Sequence, residues 1–251
     1  MNSFDIDRFE AVVFDLDSTL TDTHRYPLHA SYWLLRESGV TSDDTAYEYL
    51  GNLVARYRMA IQSIAEGAPY RSPFEIVQEA MGSSLVDIEF DNNPVLVEEA
   101  TRIFKQLHVE LSTVYPGVQD VLSRIQSRSI KMGVLSNSFE GHAEIILEKL
   151  GLREYFAAVV DCGSVNSYKP MSQPFEKVLE ILGVAASKAL YVGDEYYADI
   201  AGASAVGMGT VWINNRDSSL EDLVFKYGAE SSPDFVLQSV SDLLNMIPSK
   251  E

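Results

Sequence analysis

The chain has little cysteine and few basic residues, and it has no long apolar run. Cys162 is the one cysteine among 251 residues. It cannot form an internal disulfide and reads as a small apolar filler near a strand end. Nineteen Lys and Arg stand against 37 Asp and Glu, a formal charge of −18. Phosphate backbones and anionic membranes are held by clustered Lys and Arg. No such cluster occurs, so neither nucleic acid nor a membrane surface is an expected partner. No apolar run approaches the length of a membrane span, and residues 1–7 lack the basic and apolar regions of a signal peptide. The expected compartment is the cytoplasm. Internal repeats and low-complexity tracts are absent as well. Apolar residues make up 46% of the chain, enough to bury a sizeable core in one large domain or a domain with an insertion.

The most informative stretch is Ala11-Val12-Val13-Phe14-Asp15-Leu16-Asp17-Ser18-Thr19. Its β-branched, apolar start suits a strand buried on both faces of a parallel sheet. Ligands bind beyond the carboxyl ends of such strands, where Asp15 and Asp17 fall. Two carboxylates this close repel each other and lose hydration, a cost that a divalent cation would offset.

After this strand the β/α rhythm stops, and residues 23–112 read as helices. One is expected over 27–39, ending at Gly39, and a second follows Ser42 and closes at Gly67. Ser72-Pro73-Phe74-Glu75 is a capping box with proline at the first helical position. A fourth helix is expected from Asn93-Pro94 to about Val109. Beyond residue 112 the alternation returns, with strands over 131–135, 157–160, 189–192, 210–213 and 235–237. Helices are expected over 118–127, 141–150, from Pro170 to Leu182, up to Val206, and over 240–246. Strands alternating with single helices cross over right-handed, giving a doubly wound parallel sheet. The expected domains are therefore a core of residues 1–22 and 113–251, and an inserted helical segment of residues 23–112.

Four strand ends carry complementary polar groups: Asp15 and Asp17; Ser136 and Asn137; Lys169; and Asp194 with Asp199 beyond it. Singly, each reads as an ordinary turn, cap or solvated charge. A right-handed path brings them to one sheet edge, where carboxylates, a hydroxyl, amides and a lysine are what phosphoryl transfer requires.

Asp15-Leu16-Asp17-Ser18-Thr19, Ser136-Asn137, Lys169-Pro170 and Gly193-Asp194-Glu195-Tyr196-Tyr197-Ala198-Asp199 resemble, in order, the four motifs of the haloacid dehalogenase (HAD) superfamily. The helical insertion resembles that family's subclass I cap, and the expected fold is a HAD-like Rossmannoid core with this cap. The resemblance implies Asp15 as nucleophile forming an aspartyl-phosphate, with Asp17 as general acid and then base. It implies Mg2+ held by the Asp15 side chain, the Asp17 carbonyl and the Asp194 side chain. Ser136 and the Asn137 backbone amide would hold phosphoryl oxygens, helped by amides after Asp15. Lys169 would neutralise the phosphoryl group and orient Asp15, with Asp199 one layer further out and Thr19 as a positioning residue.

The implied activity is Mg2+-dependent hydrolysis of a small phosphate monoester. Two alternatives stay open: a 2-haloacid dehalogenase, against which Asp17 and Asp194 count, and a catalytically weak regulatory protein of the same fold. In the insertion, His24, Arg25, Tyr26, His29, Trp33, Arg56, Arg58, Tyr70 and Arg71 are candidate substrate contacts. For each, a packing or solvated-pair role is an equal or better reading. The sequence identifies neither the leaving group nor the oligomeric state.

Overall fold

The computed structural model describes residues 5–23 and 25–247; residues 1–4, His24 and residues 248–251 lie outside them. The chain divides into two compact units, one of Met1–Asp22 and Thr113–Glu251, the other of Thr23–Ser112.

In the first unit the strands are β1 (Ala11–Phe14), β2 (Thr21–Asp22), β3 (Thr113–Val114), β4 (Lys131–Ser136), β5 (Ala158–Asp161), β6 (Ala189–Gly193), β7 (Gly209–Ile213) and β8 (Phe235–Leu237). Six of them form a parallel sheet in the order β5-β4-β1-β6-β7-β8. All four residues of β1 are buried, as its β-branched, apolar sequence requires of a central strand. From β1 the chain runs outward through β4 and β5, then crosses back to β6, β7 and β8. The sheet therefore reverses its winding beside β1, and a crevice opens past its end. The helix Ser172–Leu182 buries Phe175, Val178, Leu179 and Leu182 in one cluster with Val13, Leu135, Val160 and Tyr191. Each fully buried side chain of this kind contributes about 1.5–3 kcal/mol.

Three local features differ from expectation. β2 and β3 pair antiparallel, two residues each, too short for alternation to reveal. The helix Leu220–Tyr227, which is not among the expected ones, has no fully buried residue, yet its Leu220, Leu223, Val224 and Tyr227 recur at helical spacing and pack against Tyr196, Ile200 and Trp212. The helix expected to reach Val206 is a π-helical turn, Tyr196–Ala201, followed by the α-helix Gly202–Ala205. Such wider turns are frequent at functional sites, and here the turn carries Asp199.

The second unit contains α1 (Arg25–Glu37), α2 (Asp43–Ala65), α3 (Pro73–Asp87) and α4 (Pro94–Leu111). α1 starts ahead of Pro27, which is tolerated in a first turn because its missing N–H has no partner there. Ser42 caps α2 by accepting from the Thr45 amide at 3.4 Å. At α3 the capping box is complete: Ser72 Oγ accepts from the Glu75 amide at 3.3 Å, and Glu75 Oε2 accepts from the Ser72 amide at 2.7 Å. Tyr49, Ile76, Met81, Leu85 and Ala100 are buried in this unit.

Candidate active site

Asp15 follows β1 directly, and its amide donates to the Val192 carbonyl at 2.9 Å. Its carboxylate sits beside a buried ammonium. Lys169 Nζ lies 2.6 Å from Asp15 Oδ1, 2.7 Å from Asp199 Oδ1, 3.0 Å from the Leu135 carbonyl and 3.0 Å from the Tyr191 hydroxyl. Burial works against the charge on Lys169, but Asp15 and Asp199 outweigh it and hold its pKa well above the ordinary range. Burial also pushes the Asp15 carboxyl up; Lys169 opposes this, and Asp199, Asp194 and Asp17 add to it.

The turn after Asp15 folds back on itself. Ser18 takes a left-handed φ of 65°, its amide donates to Thr21 O at 2.8 Å, and the Leu20 and Thr21 amides both reach Leu16 O at 3.0 Å. The Ser18 amide is thus engaged within the turn. Asp17 is half-buried, with Ser136 Oγ at 3.5 Å from its Oδ2. Ser136 ends β4 and is buried. The Asn137 side chain has a second role beside the one expected of its backbone amide: it donates to Lys169 O at 3.1 Å and accepts from the Lys169 amide at 2.9 Å. The end of β4 and the segment carrying Lys169, which lies beyond β5 and the short helix Cys162–Val165, are tied together by one primary amide.

Asp194 follows β6. Thr19 Oγ1 donates to its Oδ1 at 3.3 Å, Arg216 Nη2 donates to its Oδ2 at 2.8 Å, and Trp212 Nε1 donates to its carbonyl at 3.1 Å. Burial, then Asp199, pushes the Asp194 carboxyl up to about 7, with Arg216 pulling the other way. Asp199 Oδ2 accepts from the Glu195 amide at 3.0 Å. Only glycine fits at 193, since a Cβ there would fall 2.4 Å from Asp199 Oδ2.

Asp15, Asp194 and Asp199 place carboxylate oxygens within 4.8 Å of one another, all on buried residues. Asp199 already accepts from Lys169 and Tyr191 on Oδ1 and from the Glu195 amide on Oδ2. Asp15, Asp17, Asp194 and Asp199 are met by Lys169 and Arg216, which leaves the site short of positive charge. Hard oxygen donors with this charge deficit fit Mg2+.

Three contributors were not anticipated. Tyr191 stands in an otherwise aliphatic strand and sends its hydroxyl to Leu135 O at 3.2 Å and Asp199 Oδ1 at 3.1 Å; a lone phenol before Gly193-Asp194 was its signal. Asp161 ends β5 in register with Ser136. It accepts from Ser138 Oγ at 2.6 Å, the Gly141 amide at 2.9 Å and the Ala143 amide at 3.2 Å, fixing the segment after Asn137. Arg216 follows β7. Both residues satisfy the strand-end rule that selected the others.

In the second unit, Arg56 pairs with Asp87 at 2.5 Å and Arg71 pairs with Glu79. Both arginines line a cavity of about 210 Å3 with Ser63, Ile76 and Ser83. Tyr26 packs on Phe104 and His108, with ring centroids 4.8 and 4.6 Å away. Trp33 and Tyr70 are half-buried, and Arg25, His29 and Arg58 are exposed. His24 lies outside the described residues.

A parallel Rossmann-like sheet with its charged groups gathered past the strand ends at the switch point defines the class. Within that class, the family model for haloacid dehalogenase-like hydrolases matches residues 9–207, and the chain belongs to that family. It is 29% identical to the phosphoglycolate phosphatase of Escherichia coli K12, covering 97% of this chain and 94% of that protein. Among solved structures it resembles the magnesium-bound HAD-hydrolase YfnB of Bacillus subtilis (TM-score 0.76, 20% identity, covering 96% and 99% of the two chains). It also resembles the L-2-haloacid dehalogenase of Xanthobacter autotrophicus (TM-score 0.73, 18% identity, 95% and 98%). At these identities the structures establish a shared fold. Among the described residues no helix is long and apolar enough to cross a membrane.

Proposed function

We propose that this protein is a cytoplasmic, Mg2+-dependent phosphatase of small phosphate monoesters, working through a phosphorylated Asp15. The observation that carries the reading is the grip of Lys169 on one oxygen of Asp15 at 2.6 Å beside Asp194, whose carboxyl is held near 7. The first orients a carboxylate; the second marks a deficit of positive charge that suits a dication, which would in turn hold an anionic substrate. The phosphatase relative adds independent support.

The free oxygen of Asp15 attacks phosphorus, forming an acyl phosphate as the bond to the alkoxide breaks. Asp17 gives its proton to the departing alkoxide, then takes one from the water that attacks the same phosphorus and restores Asp15. Ser136 donates to the phosphoryl oxygens, and Lys169 balances their charge without reorganising, because its own partners fix it. Mg2+, held by Asp15, Asp194 and the Asp17 carbonyl, would neutralise the charge that develops during transfer. Dehalogenation shares the fold, but a halide needs no proton, which leaves Asp17 without a task.

The test is a panel of phosphate monoesters led by 2-phosphoglycolate, run with Mg2+ and with chelator. Turnover should require Mg2+, and Asp15→Asn should lower it by more than about 10³-fold while the protein stays folded. Metal-independent halide release from 2-chloropropionate, or no turnover across the panel, would reject the proposal. Asp17→Asn should slow poor leaving groups by about 10²–10⁴-fold and good ones much less; equal losses would remove Asp17 as the acid.

A further inference from the structure

Two cations compensate the carboxylates at this sheet edge, and they are built differently. Lys169 is enclosed, its side chain 3% exposed, and held by four oxygen partners. Arg216 stands on the loop after β7 with its side chain 46% exposed. Its guanidinium spans two carboxylates: Nη2 donates to Asp194 Oδ2 at 2.8 Å and Nη1 to Glu195 Oε2 at 3.2 Å. The loop backbone is anchored. Asn214 and Ser218 exchange hydrogen bonds of 3.0 and 2.9 Å, and Asn215 Nδ2 donates to Ser18 O at 3.1 Å. Asp194 is equally fixed, through its carbonyl to Trp212 and its Oδ1 to Thr19.

The guanidinium is therefore the less enclosed member of this contact. It can leave Asp194 toward solvent at small desolvation cost, and Glu195 remains as a partner.

We infer that Arg216 is a displaceable internal counter-ion, neutralising Asp194 in the metal-free protein and giving up that carboxylate when a divalent cation binds. The inference rests on the metal-dependent reading above and deepens it, because a resident cation competes with the incoming one. Metal affinity is set below what the carboxylates alone would give, and the protein without metal avoids an uncompensated buried aspartate. Cation binding also turns one edge of a guanidinium, the group best suited to meet an anionic substrate, away from Asp194 while Glu195 keeps the other.

The experiment uses the whole protein stripped with chelator and titrated with MgCl2 by calorimetry, comparing wild type with Arg216→Gln and Arg216→Lys. Arg216→Gln should bind Mg2+ about three- to tenfold more tightly, the size expected from removing a half-exposed competing pair. Arg216→Lys keeps the charge and should stay near wild type. Melting supplies the second readout: Arg216→Gln should melt below wild type in chelator, and the gap should close in saturating Mg2+. Unchanged or weaker Mg2+ binding by Arg216→Gln, or a melting gap that Mg2+ leaves intact, would overturn the inference and assign Arg216 a purely structural role. Wild type that takes up no Mg2+ would overturn both this inference and the metal-dependent reading. Wild type that binds Mg2+ with Arg216→Gln unchanged overturns the inference alone.

Discussion

Lys169 meets Asp15 at 2.6 Å with side chains 3% and 8% exposed, while in the second unit Arg102 meets Glu98 at the same 2.6 Å with side chains 63% and 47% exposed. By distance the pairs are indistinguishable; by surroundings they are opposites. The exposed pair exchanges water for a partner at little net gain, and salt screens it. The buried one has no water to fall back on, so each member depends on the others being present and charged. The helical unit is held by its caps and apolar packing, whereas the sheet edge is a mutually dependent electrostatic assembly.

Lys169→Met should break that contrast most sharply. In chelator it strands Asp15 and Asp199, and urea unfolding should lose about 3–5 kcal/mol. A loss no larger than that of a surface variant would show that burial is not what sets the assembly apart.

The next effect is on pH. The Asp194 carboxyl is raised from its ordinary 3.8 to about 7, so between these values the folded state holds a proton that the unfolded state releases. Stability of the chelated protein should therefore be fullest below about pH 4 from this group and fall as pH rises toward 7. Melting curves across that range should show the decline, and Mg2+ should flatten it by favouring the ionised carboxylate. A slope of the same size with saturating Mg2+ would assign the decline to other groups. Arg102→Gln marks the small end, with an expected loss of about 0.5 kcal/mol or less and no pH signature; a larger loss would give the exposed network a share in holding the helices.

Legibility in the sequence followed the same division. Ala11–Phe14, the parallel strands and the placement of Asp15, Ser136, Lys169 and Asp194 at one edge follow from strand patterns and right-handed crossovers. The capping box at Ser72 read directly as a helix start, because it is local chemistry. What stayed hidden depends on contacts distant in the chain. Asn137 uses its side chain on Lys169, 32 residues away. Asp161 organises the segment after Asn137, and Arg216 reaches back to Asp194. Tyr191 was hidden for another reason: a tyrosine in a buried strand reads as filler until its hydroxyl is placed.

That tyrosine joins two parts of the molecule that are usually altered separately. Its ring lies 5.3 Å from that of Phe175 in the apolar core, and its hydroxyl lies 3.0 Å from Lys169 Nζ. Interiors packed this tightly pass displacement on with little slack. Repacking beneath the sheet to raise thermal tolerance would therefore act as a lever on the lysine that aims Asp15. Core substitutions around Phe175 should be screened for turnover as well as for melting temperature.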